Sequence, residues 1–208
     1  MSLTLPLFPL GSVLYPGLVM PLHIFEERYR VLMEGLAEPG SAGEMGVVLI
    51  EAGSEVGGGE RRTTTGTVAR LVESKRLDDG RWLAVFGGSH RFRVVSWLPD
   101  DPFPQAEVEE IPDPDWDGAD DDAFEAAETE VRRALGLAVR LGEAAVRPSF
   151  ALTPDPARAV WELCTIAPLG PFDKQRLLEA PTHASRLRIL REEAGDAVKV
   201  LAFRLGSG

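Results

Sequence analysis

Residues 5–36, LPLFPLGSVLYPGLVMPLHIFEERYRVLMEGL, are apolar, proline or glycine at almost every position until the chain turns charged at Glu26. Pro6, Pro9, Pro16 and Pro21 punctuate the run. Proline has no N–H for a sheet ladder and belongs at strand ends, bulges and edges. The stretch therefore reads as short extended pieces separated by turns. Tyr15-Pro16-Gly17 is the clearest turn: Pro16 pre-sets φ at the first central position, and Gly17 accepts the positive φ that a type II turn needs at the second. Beyond Pro21, Leu22-His23-Ile24-Phe25 leads into a helix in which Phe25, Tyr29, Leu32, Met33 and Leu36 recur at helical spacing. Glu26 and Glu27 occupy its first turn, where negative charge suits the helix dipole. A segment this apolar is buried, and it is long enough to thread a whole core.

Downstream, Glu44 to Ile50 reads as a buried strand, and Ala52 to Arg62 (AGSEVGGGERR) as a polar, glycine-dense surface connection. That loop lacks the Gly-Lys-Ser/Thr ending of a phosphate-binding loop, and no helical pattern follows it. From Thr64 the pattern becomes an antiparallel meander. Gly66 to Leu77 is β-rich, Asp78-Asp79-Gly80 marks a tight hairpin, and Arg81 to Phe86 returns. Gly87-Gly88 reads as another turn, His90 to Leu98 as a further strand, and Gln105 to Ile111 as a strand with one polar face. Several short strands at this spacing predict a small barrel or sandwich carrying one inserted helix.

Residues 112–122 (PDPDWDGADDD) hold six acidic and no basic side chains, more than half of the chain's net charge of −11. Like charges and prolines favour an extended, solvated linker here. Asp121 or Asp122 is placed to cap a helix beginning near Ala123. From there the period is helical. Phe124, Ala127, Val131, Leu135, Ala138 and Leu141 form one stripe. Thr153-Pro154-Asp155-Pro156 is a helix start, leading to a stripe that includes Leu163 and Cys164. Phe172 to Glu179 is a short helix stopped by Pro181, Thr182 caps the next, and Asp196 to Leu205 adds a last turn or two. The predicted organisation is residues 1–111 as a β domain, 112–122 as an acidic linker, and 123–208 as a helical subdomain of four or five short helices.

With 208 residues, 44% of them hydrophobic, the chain can bury a sizeable core. The single cysteine, Cys164, leaves no internal disulfide and no cysteine-based zinc site. The opening run is too often broken by proline to span a bilayer, and no secretory leader pattern is seen. A cytoplasmic protein is expected. The acidic balance disfavours nucleic acid, which needs a basic surface to displace counterions.

The opening motif also resembles the Lon protease amino-terminal domain, known too as the Lon substrate-binding domain. Leu5-Pro6-Leu7-Phe8-Pro9-Leu10, the Pro16-Gly17 turn, and Pro21-Leu22 through Ile24-Phe25-Glu26 to Arg28-Tyr29 follow that family's pattern nearly without gaps. The order continues with Gly66-Thr67-Val68-Ala69, Asp79-Gly80-Arg81, Arg91-Phe92-Arg93 and Ala106-Glu107-Val108-Glu109. The likeness is looser after Phe124, where Lys174 to Glu179 and the Thr182 to Leu187 stretch recur. It implies an α+β fold: a small, mostly antiparallel, PUA-like β-barrel with one inserted helix, followed by a helical bundle.

Full-length Lon proteases follow this region with an ATPase carrying a phosphate loop and a protease carrying a serine–lysine dyad. Neither is found before Gly208. The resemblance thus implies a stand-alone, ATP-independent recognition module, not an enzyme and without a cofactor. Its expected partners are unfolded or degron-bearing protein segments, with a protease or unfoldase as a further partner. Peptides are recognised in grooves and at sheet edges, so the candidate peptide-binding residues are Tyr15, Met20 and His23 near the turn, and Trp82 and Trp97 in the meander. Ordinary core packing is the competing role for each aromatic.

No nucleophile–base pair stands out. Ser74-Lys75 and Ser89-His90 are adjacent on strands, where neighbouring side chains point to opposite faces. Cys164 lies on an apolar helical stripe and reads as a small buried hydrophobe. His23, His90 and His183 are far apart and lack metal-ligand spacing. Arg91 and Arg93 share a strand face and are expected to pair with carboxylates. An RNA-binding role for a PUA-like barrel and an unidentified hydrolase remain the alternatives.

Overall fold

Pro6 marks where the first strand of the opening segment changes partners. A computed structural model describes residues 3–144 and 146–206. Its elements are β1 (Leu3–Leu10), β2 (Val19–Ile24), α1 (Glu27–Leu36), β3 (Glu44–Ala52), β4 (Arg61–Arg76), β5 (Trp82–Leu98), β6 (Gln105–Ile111), α2 (Asp121–Arg140), α3 (Pro156–Ile166), α4 (Pro171–Glu179) and α5 (His183–Gly206). β1 pairs antiparallel with β6 from Leu3 to Pro6 and parallel with β3 from Leu7 to Leu10. Each half of β1 thus has one ladder, and neither Pro6 nor Pro9 is asked to serve two.

The chain divides into two compact units, Met1–Pro112 and Asp113–Gly208. The first is a mixed six-stranded sheet in the order β2-β5-β4-β3-β1-β6, with β6 also paired to the C-terminal half of β5. The pairings therefore run in a ring through β1, β3, β4, β5 and β6, and β2 hangs outside it as an edge strand. The parallel β1–β3 pair requires a crossover, and the span containing β2 and α1 supplies it.

Burial is two-sided. Phe8, Leu10, Met45 and Val47 face α1, where they meet Tyr29, Leu32, Met33 and Leu36. Leu5, Leu7, Val48, Val68, Phe92, Val94, Ala106 and Val108 form a second cluster. Strands buried on both faces read as continuous apolar runs, which is why β1 and β3 carry no polar phase. Each fully buried large apolar side chain contributes about 1.5–3 kcal/mol.

The Tyr15-Pro16-Gly17 turn forms as the sequence predicts, with Leu18 N–H donating to the Tyr15 carbonyl and Gly17 at φ 75°. Gly87-Gly88 is not a turn. β5 runs unbroken through it, and the two glycines are where the Tyr15 turn docks. Gly17 N–H donates to the Gly88 carbonyl, and Gly88 N–H to the Leu18 carbonyl. A Cβ at Gly88 would overlap the Tyr15 carbonyl oxygen. The glycines serve close backbone approach rather than chain reversal.

In the second unit, α2 and α5 pack along Ala134, Ala138, Val198 and Leu201. Asp155 caps α3 by accepting from Ala157 N–H, with Pro156 in the first turn. Thr182 caps α5 through Ser185 N–H. α5 is one continuous 24-residue helix rather than a helix followed by a separate last turn. Its buried residues Leu187, Leu190, Ala194, Val198 and Leu201 keep helical spacing straight through Gly195. Asp121 and Asp122 are in the first turn of α2, and Asp121 takes a hydrogen bond from Trp116 Nε1.

The acidic segment is anchored to the helical unit at its start rather than freely solvated. Asp113 pairs at 3.1 Å with Arg186, whose side chain is fully buried. His183 Nε2 donates to the Pro114 carbonyl at 2.8 Å, and the Trp116 ring packs on His183 and Phe124. Arg186 also donates to the Leu177 and Ala180 carbonyls and stacks on Trp161. One buried cation thus draws in the first aspartate of the run, because a buried charge is tolerated only when paired and hydrogen-bonded.

Candidate peptide-binding surface

β2 (VMPLHI) splits its residues by parity. Met20, Leu22 and Ile24 turn toward the core under α1, while Val19, Pro21 and His23 are exposed. The register continues this outer row across the sheet: Pro21 pairs with Val85 and His23 with Leu83, and these two stand beside Glu73 and Lys75 of β4. The result is a groove of about 490 Å³ floored by Pro21, Leu22, Leu83, Ala84 and Val85 and rimmed by His23, Glu73 and Lys75. Val19, Val72 and Leu83 are 68%, 65% and 46% exposed. Gly87 leaves room beside Val72, so the apolar strip continues toward Val19.

Across β2 lies a second pocket of about 230 Å³ that shares Pro21, Leu22 and His23 with the groove. Phe8, Leu10 and Phe25 give it apolar walls, and Glu26, Tyr29 and Glu55 bring polar groups to it. The glycine-dense loop is pinned over it instead of standing free. Gly11 N–H donates to Glu55 Oε1, and Gly57 N–H donates to Glu26 Oε2. The Leu18 carbonyl accepts from Gly88 of β5. By the alternation of an antiparallel ladder, Val19, Pro21 and His23 then turn their backbone groups to the open edge. Pro21 has no N–H to leave unsatisfied there.

The five candidate residues are not brought together. His23 lines both the groove and the pocket, and Met20 is half-buried against the core beneath it. Tyr15, at 1% exposure, and Trp82, at 9%, are core and cannot be rim residues. The turn docks on β5 through its backbone, and Trp82 faces inward from β5 into the cluster that holds Ile24 and Met33. Trp97 is 38% exposed but stands at the opposite end of β5, under the Arg62 guanidinium, which is itself bound to Asp100 and Glu60. The apolar residues missed from the sequence are Val19, Pro21, Val72, Leu83 and Val85. The available signal was that Leu83-Ala84-Val85-Phe86 is apolar in both phases, so one phase had to face outward wherever nothing covers it.

The other chemical candidates resolve individually. Ser89 and His90 are hydrogen-bonded, Oγ to Nδ1 at 3.0 Å, contrary to the expectation that strand neighbours diverge. A β-bulge explains it. Two β5 residues, 89 and 90, oppose the single Val68 of β4, and a bulge turns both side chains to one side. Among the described residues no carboxylate orients the other His90 nitrogen, and neither residue lines the groove or the pocket. Cys164 is buried, and burial pushes its thiol up to about 12. Arg93 pairs with Glu109, while Arg91 is buried and donates to the Pro112 carbonyl. Among the described residues no group of three His, Cys, Asp or Glu side chains converges to hold a metal ion, and no helix is long and apolar enough to cross a membrane.

A family model, the ATP-dependent protease La (LON) substrate-binding domain, matches residues 4–193. The chain is similar to Lon protease 2 of Desulfotalea psychrophila, 31% identical over 192 residues, covering 90% of this chain and 24% of that protein. It is similar to Lon protease 2 of Herpetosiphon aurantiacus at 28% identity, covering 96% and 24%. The chain thus spans about a quarter of the length of the curated relatives it matches. Among solved structures, a Lon N-terminal domain protein from Xanthomonas campestris superposes with a TM-score of 0.64 at 26% identity, over 90% of this chain and 96% of that one. The N-terminal domain of a Mycobacterium avium complex Lon protease shares the fold, with a TM-score of 0.58 at 16% identity over 93% and 98%.

Proposed function

The chain belongs to the LON substrate-binding domain family, and from that premise we propose that it is a non-catalytic module that holds unfolded or degron-bearing protein segments in the β2–β5–β4 groove. It serves protein quality control as an adaptor or holding factor, passing clients to a protease or unfoldase. The observation that carries this reading is the exposed apolar strip of Val19, Pro21, Val72 and Leu83, with half-buried Val85 between them, at an edge strand. Extended apolar segments are recognised by such grooves, and exposed apolar surface gathered in one place marks an interaction site. Pro21 limits strand addition at the edge, so side-chain burial rather than a continuous ladder supplies the affinity.

The test is capture of a chemically unfolded protein by the immobilised chain, compared with its Leu83→Asp variant. Leu83 is half exposed, so the variant keeps its fold and loses capture. Equal capture by both, with matched thermal midpoints, would remove the groove from the mechanism.

A further inference from the structure

The groove leaves the pocket on the other side of β2 without a role. We propose that this pocket takes the cationic side chain, lysine or arginine, of the same client segment whose apolar residue fills the groove. The inference rests on the groove being the client-binding surface. It makes the recognised feature an apolar residue followed closely by a basic one.

The two cavities share Pro21, Leu22 and His23, so one segment crossing β2 enters both. An extended chain advances about 3.3 Å per residue, so roughly two to four residues separate the two side chains. The pocket suits an aliphatic stem with a charged tip: Phe8, Leu10 and Phe25 line its walls, and Glu26 and Glu55 supply carboxylates. Glu26 is offset by Arg28 at 3.3 Å. Glu55 forms no ion pair among the described residues; its one recorded bond is from Gly11 N–H. The pocket therefore carries uncompensated negative charge. Tyr29, only 3% exposed, is part of the wall, and its hydroxyl is buried without a hydrogen-bond partner. A buried polar group left unpaired is costly and calls for explanation.

The experiment is fluorescence anisotropy with two unstructured, fluorescein-labelled peptides. They are identical except for one position about three residues after a leucine–valine pair, lysine in one and glutamine in the other. The wild-type chain should bind the lysine peptide about fivefold more tightly at low salt, the size of a partly exposed ion pair, and the preference should shrink as salt is raised. Glu55→Gln retains a carbonyl oxygen for Gly11 N–H and should bind both peptides equally, at the level of the glutamine peptide. Asp78→Asn, which removes the same charge at the distant hairpin, should keep the preference. Equal binding of the two peptides by the wild type overturns the inference while leaving the groove intact. So does a preference that survives Glu55→Gln or that Asp78→Asn removes equally. Absence of binding by either peptide, or undiminished binding by Leu83→Asp, overturns the groove reading and this inference with it.

Discussion

Tyr15→Ala separates a core role from a binding role for the Tyr15 turn. Tyr15 is 1% exposed, and its carbonyl closes the turn that docks on Gly88. Its neighbour Leu14 is also buried, and the Leu14 carbonyl accepts from Thr67 Oγ1 at 2.6 Å. Removing a buried aromatic ring costs about 3–5 kcal/mol, transfer and cavity terms together. For a unit of this size, each kcal/mol lowers the midpoint by about 4–8 °C. A fall of at least about 10 °C in the calorimetric transition of the sheet unit is therefore expected. Client capture, measured well below the new midpoint, should be retained, because Tyr15 lines neither the groove nor the pocket. An unchanged midpoint with lost capture would refute the reasoning, since it would require the ring to stand at the binding surface.

Gly88→Ala places a methyl group against the Tyr15 carbonyl and should cost about 1–3 kcal/mol through forced separation of the turn from β5; a midpoint unchanged in urea unfolding would contradict that contact. Arg186→Leu removes the ion pair to Asp113 and the guanidinium hydrogen bonds to the Leu177 and Ala180 carbonyls. A loss of roughly 3–5 kcal/mol from the helical unit is expected, together with faster cleavage before Asp113 and Asp115 by an aspartate-directed protease; wild-type cleavage rates would show that the anchor does not hold this segment. Cys164 should resist iodoacetamide in the native state at alkaline pH, reacting on the order of a thousandfold slower than in denaturant, because burial raises its pKa and only the thiolate reacts. The sign of the linked effect follows: the unfolded thiol loses its proton first as pH rises, so ionisation lowers stability above the ordinary thiol range and leaves it unaffected below. Native alkylation at the unfolded rate would contradict the burial.

Local chemistry made much of the fold legible. The Pro16-Gly17 turn, the Asp78–Gly80 hairpin, the Asp155-Pro156 helix start and the Thr182 cap are each decided by residues within one turn of one another. What escaped depends on residues distant in sequence. Gly87-Gly88 looked like a reversal because the backbone that fills the space beside it comes from Tyr15. Ser89 and His90 looked divergent because the extra residue of the bulge is visible only against β4. Asp113 looked solvated because its counter-ion, Arg186, belongs to α5. The candidate site is the least legible part, since an aromatic side chain in the sequence marks a binding rim and a core alike. Tyr15 and Trp82 are instead what the core uses, and the surface is built from valine, leucine and proline.

That division follows from the geometry of an edge strand. β2 has a neighbour on one side only, so its two faces have different fates. Met20, Leu22 and Ile24 complete the core beneath α1, and Val19, Pro21 and His23 stay exposed. A sequence apolar in both phases is ordinary for the ring strands β1 and β3, which are buried on both sides. On β2 and the first residues of β5, the same pattern leaves one phase uncovered. An uncovered apolar phase costs solubility, and proteins blunt such edges with proline and charge. Pro21 on the edge and Glu73 and Lys75 on the rim do both. The strip of Val19, Val72, Leu83 and Val85 nevertheless stays open. Under the proposed function, a client segment lying on this strip would supply the cover that the sheet's own elements do not.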